Sequence, residues 1–172
     1  MASVTLNPTA NQTPDAGQAG VAVTGAINTG HGSTVTASSG ATDSDFKTCR
    51  WFTFQTLGAG LTVASLSLKA SWTVTSGILN GDGAGNFFGM DYTLNGGSVW
   101  NVFDNISNTT SASGTPSINL AQSQNISQVQ VRCIWQTGTT DIGELASITG
   151  SVSNIRIEAV LSDANRMILM GI

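Results

Sequence analysis

Two stretches of this chain alternate apolar and polar residues with a period of two, and that alternation constrains its fold more than any other feature. Leu66, Leu68, Ala70, Trp72 and Val74 share one face of an extended strand, with Ser67, Lys69, Ser71 and Thr73 on the other. Val129, Val131, Cys133 and Trp135 repeat the pattern against Gln130, Arg132, Ile134 and Gln136. One face of each strand seeks a core while the other tolerates water, as in antiparallel sheets packed face to face. No segment sustains a helical period; only residues 163–170 leave room for a turn or two. The expectation is an all-β protein, an antiparallel β-sandwich of jelly-roll type with about eight or nine strands. An immunoglobulin-like sandwich is the alternative, because strand order is not written in a single sequence.

At 172 residues the chain suits one domain with a real core. Charged residues make up only 9% of it, against about a quarter in ordinary domains, so Ser, Thr, Asn, Gln and Gly must carry its polar surface. The net charge is −4 and Lys and Arg form no cluster, which argues against nucleic acid and anionic membrane as partners. No stretch reaches the roughly 18 apolar residues of a membrane span, so no membrane insertion is expected. Residues 1–7 show neither the basic nor the apolar region of a secretory signal peptide. Cys49 and Cys133 both fall in expected strands, and the sequence fits either one bridge or two separate buried thiols.

The chain divides into an extended N-terminal arm (1–20), a sandwich (21–162) and an apolar C-terminal tail (163–172). Its first 45 residues contain no aromatic residue, Lys or Arg, and every Phe, Trp and Tyr lies between Phe46 and Trp135. The middle therefore builds the core. Weak strands are expected at 21–27 and 33–37, joined by a turn that includes His31. Stronger ones follow at 46–55, 63–75, 87–94, 98–103, 117–120, 127–136 and 147–161, the last broken near Gly150. Residues 78–86 (ILNGDGAGN) read as a loop, 105–116 as a polar loop, and Asn95-Gly96-Gly97 as a hairpin turn.

The inventory for catalysis is thin. His31 is the sole histidine, and in a Gly-rich stretch it reads as a solvated turn residue rather than a member of a triad. Zinc would need about four Cys, His or carboxylate ligands, which Cys and His cannot supply here. Glu144, Glu158, Asp91 and Asp104 read as solvated surface carboxylates rather than a glycosidase pair. No cofactor is expected: structural calcium is the one metal with candidate ligands, Asn80, Asp82 and Asn86 or Asp43 and Asp45, but neither stretch completes a binding-loop signature and both read as turn residues chosen for backbone freedom. Tyr92, Trp100, Asn101 and Asp104 make the one candidate recognition surface, since aromatic rings beside amides and carboxylates suit sugars. The run Met167, Ile168, Leu169, Met170 and Ile172 needs a cover, either its own sheet or another subunit.

Ile118-Asn119-Leu120, the segment from Asn125 to Arg132 (NISQVQVR) and the segment from Val152 to Glu158 (VSNIRIE) resemble the closing strands of galactose-binding-like jelly-roll modules. Such modules occur in phage virion and bacterial surface proteins. The resemblance covers the last third of the chain, and it implies a sandwich that binds glycans or sits in an assembly without assigning any ligand residue. The expected function is non-enzymatic: a subunit of a homo-oligomeric assembly on a virion or extracellular surface, such as a capsid-decoration or tail component. Its expected partners are copies of itself or other assembly subunits. A carbohydrate-binding module with a glycan partner is the alternative.

Overall fold

The computed structural model describes residues 2–12, 31–38 and 44–162. Along them run β1 (Ser3–Leu6), β2 (Pro8–Gln12), β3 (His31–Ser38), β4 (Ser44–Phe54), β5 (Val63–Asn80) and β6 (Gly85–Thr93). Then come β7 (Asn101–Ser107), β8 (Ala112–Gly114), β9 (Ser117–Leu120), β10 (Gln130–Gly138) and β11 (Leu145–Leu161). A six-stranded sheet has β11 and β5 at its centre, with β1 and β3 end to end along the far side of β11 and β8 and β9 end to end along the far side of β5. A five-stranded sheet runs β2-β4-β10-β6-β7. Nearly every connection between the described strands crosses from one sheet to the other, and among them only β6 and β7 form a hairpin within a layer. The order β3-β11-β5-β8/β9 facing β4-β10-β6-β7 is that of a jelly roll, two nested Greek keys, and it decides against the immunoglobulin-like alternative.

The period-two rows make the core. Leu66, Leu68, Ala70, Trp72 and Val74 on β5 are between 0 and 5% exposed, and Val129, Val131, Cys133 and Trp135 are fully buried. Each large apolar side chain so buried contributes about 1.5–3 kcal/mol before entropy is counted. Trp72 of one sheet meets Phe88 of the other at 5.0 Å between ring centroids, and Phe88 meets Trp135 at 5.3 Å. This aromatic run spans the gap between the layers.

Several expectations need correction. Residues 3–12 are extended, as an arm would be, but they pair into both sheets as β1 and β2, and Leu6 is 2% exposed in the core. His31 and Gly32 begin strand β3, opposite Val152 and Ser151, instead of forming a turn, because β11 is long enough to pair with both β3 and β1. Strand β5 continues to Asn80 past a register shift near Thr75, so the loop is reduced to residues 81–84. The polar loop contains β8, which finds its partner in β5. Strands β4 and β10 are neighbours, and their register sets Cys133 directly opposite Cys49. The expected strand at 21–27, Asp43 and the tail from residue 163 lie outside the described residues.

Candidate functional site

The β6–β7 hairpin closes as its sequence suggests. Gly96 and Gly97 take φ of 73° and 99°, and the Thr93 hydroxyl accepts from the amides of Asn95 and Gly97. The turn spans residues 94–100, so the second strand starts at Asn101 rather than at residue 98.

The hairpin separates the four candidate recognition residues. Tyr92 packs half-buried against the core, edge-on to Phe103 at 5.7 Å. Trp100 lies by the outer face, under the guanidinium of Arg132 at 4.3 Å, and Arg132 in turn pairs with Asp91 at 2.9 Å. Asn101 is exposed at the strand start. Asp104 turns inward and accepts from the indole N–H of Trp72 at 2.7 Å. Tyr92 and Asp104 therefore sit on the inner side, and Trp100 is left outside with Asn101 nearby in sequence.

Along the same edge, Val99 in the turn and Val102 on β7 are 55% and 65% exposed. Register pairs Val102 with Asp91, which places it on the face that also carries Arg132 and Trp100. β7 is the last strand of the five-stranded sheet, seven residues long without Pro, Lys or Arg, and among the described residues no strand pairs with its outer side. Trp100 and Val102 share the outer face beside that edge, and Val99 is exposed in the turn that leads to them. Sequence reading missed the valines because alternate exposure on an edge strand depends on the register with β6.

The carboxylates read as solvated have structural partners. Glu144 is 7% exposed, and its carboxylate accepts from the amides of Gly83 (2.6 Å), Thr140 (2.9 Å) and Asp141 (3.0 Å). Those amides, that of Gly83 above all, hold its carboxyl below the usual range. Glu158 sits between Lys69 and Arg156, and these two cations, Lys69 first, hold its carboxyl low as well. Of the candidate calcium ligands, Asn86 is buried and its amide is spent on the backbone: Nδ2 donates to the carbonyls of Thr109 and Ser147, and Oδ1 accepts from the Thr109 amide. Asn80, at the end of β5, and Asp82, on the turn, are both exposed. Among the described residues no three His, Cys, Asp or Glu side chains stand together as a metal site. No helix among them is long and apolar enough to cross a membrane.

No family model and no curated protein matches the chain. Among solved structures, the naturally occurring empty particle (top component) of cowpea mosaic virus is 11% identical, at a TM-score of 0.31, over 75% of this chain and 87% of that one. A structure described as "CBM4 structure and function" is 7% identical, with a TM-score of 0.29, over 90% of this chain and 77% of that one. The infectious bursal disease virus Gx strain structure is 12% identical, at a TM-score of 0.29, over 78% of this chain and 37% of that one. Likenesses this distant carry no argument about function, and it is the strand order that identifies the fold: an antiparallel jelly-roll β-sandwich.

Proposed function

We propose that the chain is a non-catalytic structural subunit that associates with copies of itself through the β7 edge of its five-stranded sheet. The observation that carries this reading is the exposure of Val102 and Val99 beside an edge strand that holds no Pro, Lys or Arg and whose one acid, Asp104, is turned inward to Trp72. Apolar side chains next to open N–H and C=O groups suit a second strand of the same kind. The acidic side chains an enzyme might have used support the reading too, since Glu144, Glu158, Asp91 and Asp104 all serve loops, ion pairs or the sandwich interior. The apolar run from Met167 to Ile172 is a second adhesive element at the level of sequence. The assembly we have in mind is a surface one, such as a virion decoration or tail component.

Light scattering on the full chain tests this. Val102→Lys places a charge on the outer face of the edge, where no packing is lost, and should lower the particle mass to that of one subunit with an unchanged circular dichroism spectrum. A native chain that is already a single subunit, or a variant of unchanged mass, overturns the reading.

A glycan-binding module is the second reading, favoured by the half-exposed ring of Trp100 beside exposed Asn101. In that case Trp100→Ala abolishes glycan-array signal while the fold survives. Retained signal counts against it.

A further inference from the structure

The outer face of the six-stranded sheet carries a concavity of about 280 Å³, lined chiefly by Lys69, Ser71, Thr115, Pro116, Ser117 and Arg156. It exists because both ladders flanking β5 break at the same level. On the β11 side, Ser71 pairs with Ser153 and Lys69 with Arg156, so Ala70 faces two residues, Asn154 and Ile155. Asn154 takes up the extra length in the left-handed region, at φ 54°. On the other side β8 ends at Gly114 and β9 starts at Ser117. Pro116 between them has no N–H to offer, and its carbonyl accepts from the Ala70 amide at 3.2 Å.

The charges at this break are set against their own repulsion. Lys69 lies directly opposite Arg156 in the register, and like charges so placed destabilise a sheet. Glu158 compensates one of them: its Oε2 accepts from Lys69 Nζ at 2.5 Å and its Oε1 from Arg156 Nε at 2.8 Å. Arg156 Nη1 donates to the carbonyl of Asn154 at 3.0 Å, while Nη2 has no protein acceptor among the described residues. Two cations against one carboxylate leave a positive charge in excess beside three hydroxyls, in a chain whose net charge is −4.

We propose that this concavity binds the carboxylate or sulfate of a single acidic sugar residue. Arg156 Nη2 and the remaining Lys69 donors take the oxyanion, since charge-assisted hydrogen bonds are the strong ones available. Ser71, Thr115 and Ser117 meet the ring hydroxyls. The volume falls just short of the roughly 300 Å³ at which pockets for larger ligands begin, which limits the occupant to about one ring. The site is on the opposite sheet from Val99 and Val102, so it stands or falls independently of assembly.

Isothermal titration of the full chain with sodium glucuronate at low ionic strength tests the proposal. Binding in the millimolar range is expected, weakened at least tenfold in Arg156→Gln and absent with glucose, which offers the ring without the carboxylate. Ser117→Glu, at an exposed β9 position outside the ion pairs, is expected to abolish binding as well, and circular dichroism verifies that this variant is folded. Inorganic sulfate forms the second arm. Displacement of glucuronate by sulfate that binds more weakly supports the sugar assignment, whereas sulfate binding as tightly as glucuronate overturns it in favour of a free-anion site. Absence of binding by the native chain, or binding that survives both substitutions, overturns it outright.

Discussion

The indole N–H of Trp72, on β5 of one sheet, donates to the carboxylate of Asp104, on β7 of the other, at 2.7 Å. The bond fastens the two layers near the β7 edge, and it leaves no room at Gly114, where a Cβ would stand 2.4 Å from Trp72 Nε1 and 2.6 Å from Asp104 Oδ2. Trp72 is only 5% exposed, so removing its acceptor leaves a buried donor unsatisfied. Asp104→Ala should therefore destabilise the fold by about 1–3 kcal/mol in urea unfolding, and Asp104→Asn by less, because an acceptor oxygen remains. An Asp104→Ala variant as stable as the native chain would mean that the bond contributes nothing.

Glu144 gives the fold a pH dependence of predictable sign. Its carboxyl is held below its ordinary value near 4.5 by the amides of Gly83, Asp141 and Thr140. A group depressed in the folded state contributes stability that is complete above the unfolded value and is lost as pH falls through the folded one. Thermal midpoints followed downward from about pH 6 should drop faster for the native chain than for Glu144→Gln, which has no such proton to take up. Parallel curves would show that the carboxylate is not what ties residues 81–84 to residues 140–144.

Asn154 is the residue that lets β11 carry an extra position opposite Ala70 and still point Val152 and Ile155 into the core. Its φ of 54° suits Asn or Gly and strains a β-branched side chain. Asn154→Val should cost about 1–3 kcal/mol in chemical denaturation, with Asn154→Gly close to neutral. A valine variant as stable as the glycine one would mean that the bulge is not needed.

Where burial is local and periodic, the sequence is readable. The inward rows of β5 and β10 could be named residue by residue, β9 has the bounds its composition suggests, and Gly96 and Gly97 turn where left-handed backbone was expected. Features that depend on a distant partner could not be read. Residues 78–80 looked like the start of a loop, yet they close β5, paired with residues 145–147 of β11. Ala112–Gly114 is too short to signal a strand without β5 beside it. Glu144 looked solvated because the amides that engulf it come partly from residue 83. The meeting of Lys69 with Arg156 is a fact of register across a bulge. The recognition surface proposed from the hairpin failed to converge for a related reason: Tyr92 and Asp104 answer to the core, while Trp100 answers to Arg132.

The central strand of each layer comes late in the chain, β10 between β4 and β6 and β11 between β5 and β1/β3. The five-stranded layer lacks its centre until residue 138 is made and the six-stranded layer until residue 161, so the apolar rows of β4 to β6 wait for the strand that joins them to their sheet. Such a polypeptide completes its sheets only at the pace of long-range strand pairing. Its most vulnerable moment is the interval when Trp72 and Phe88 are made but still wet.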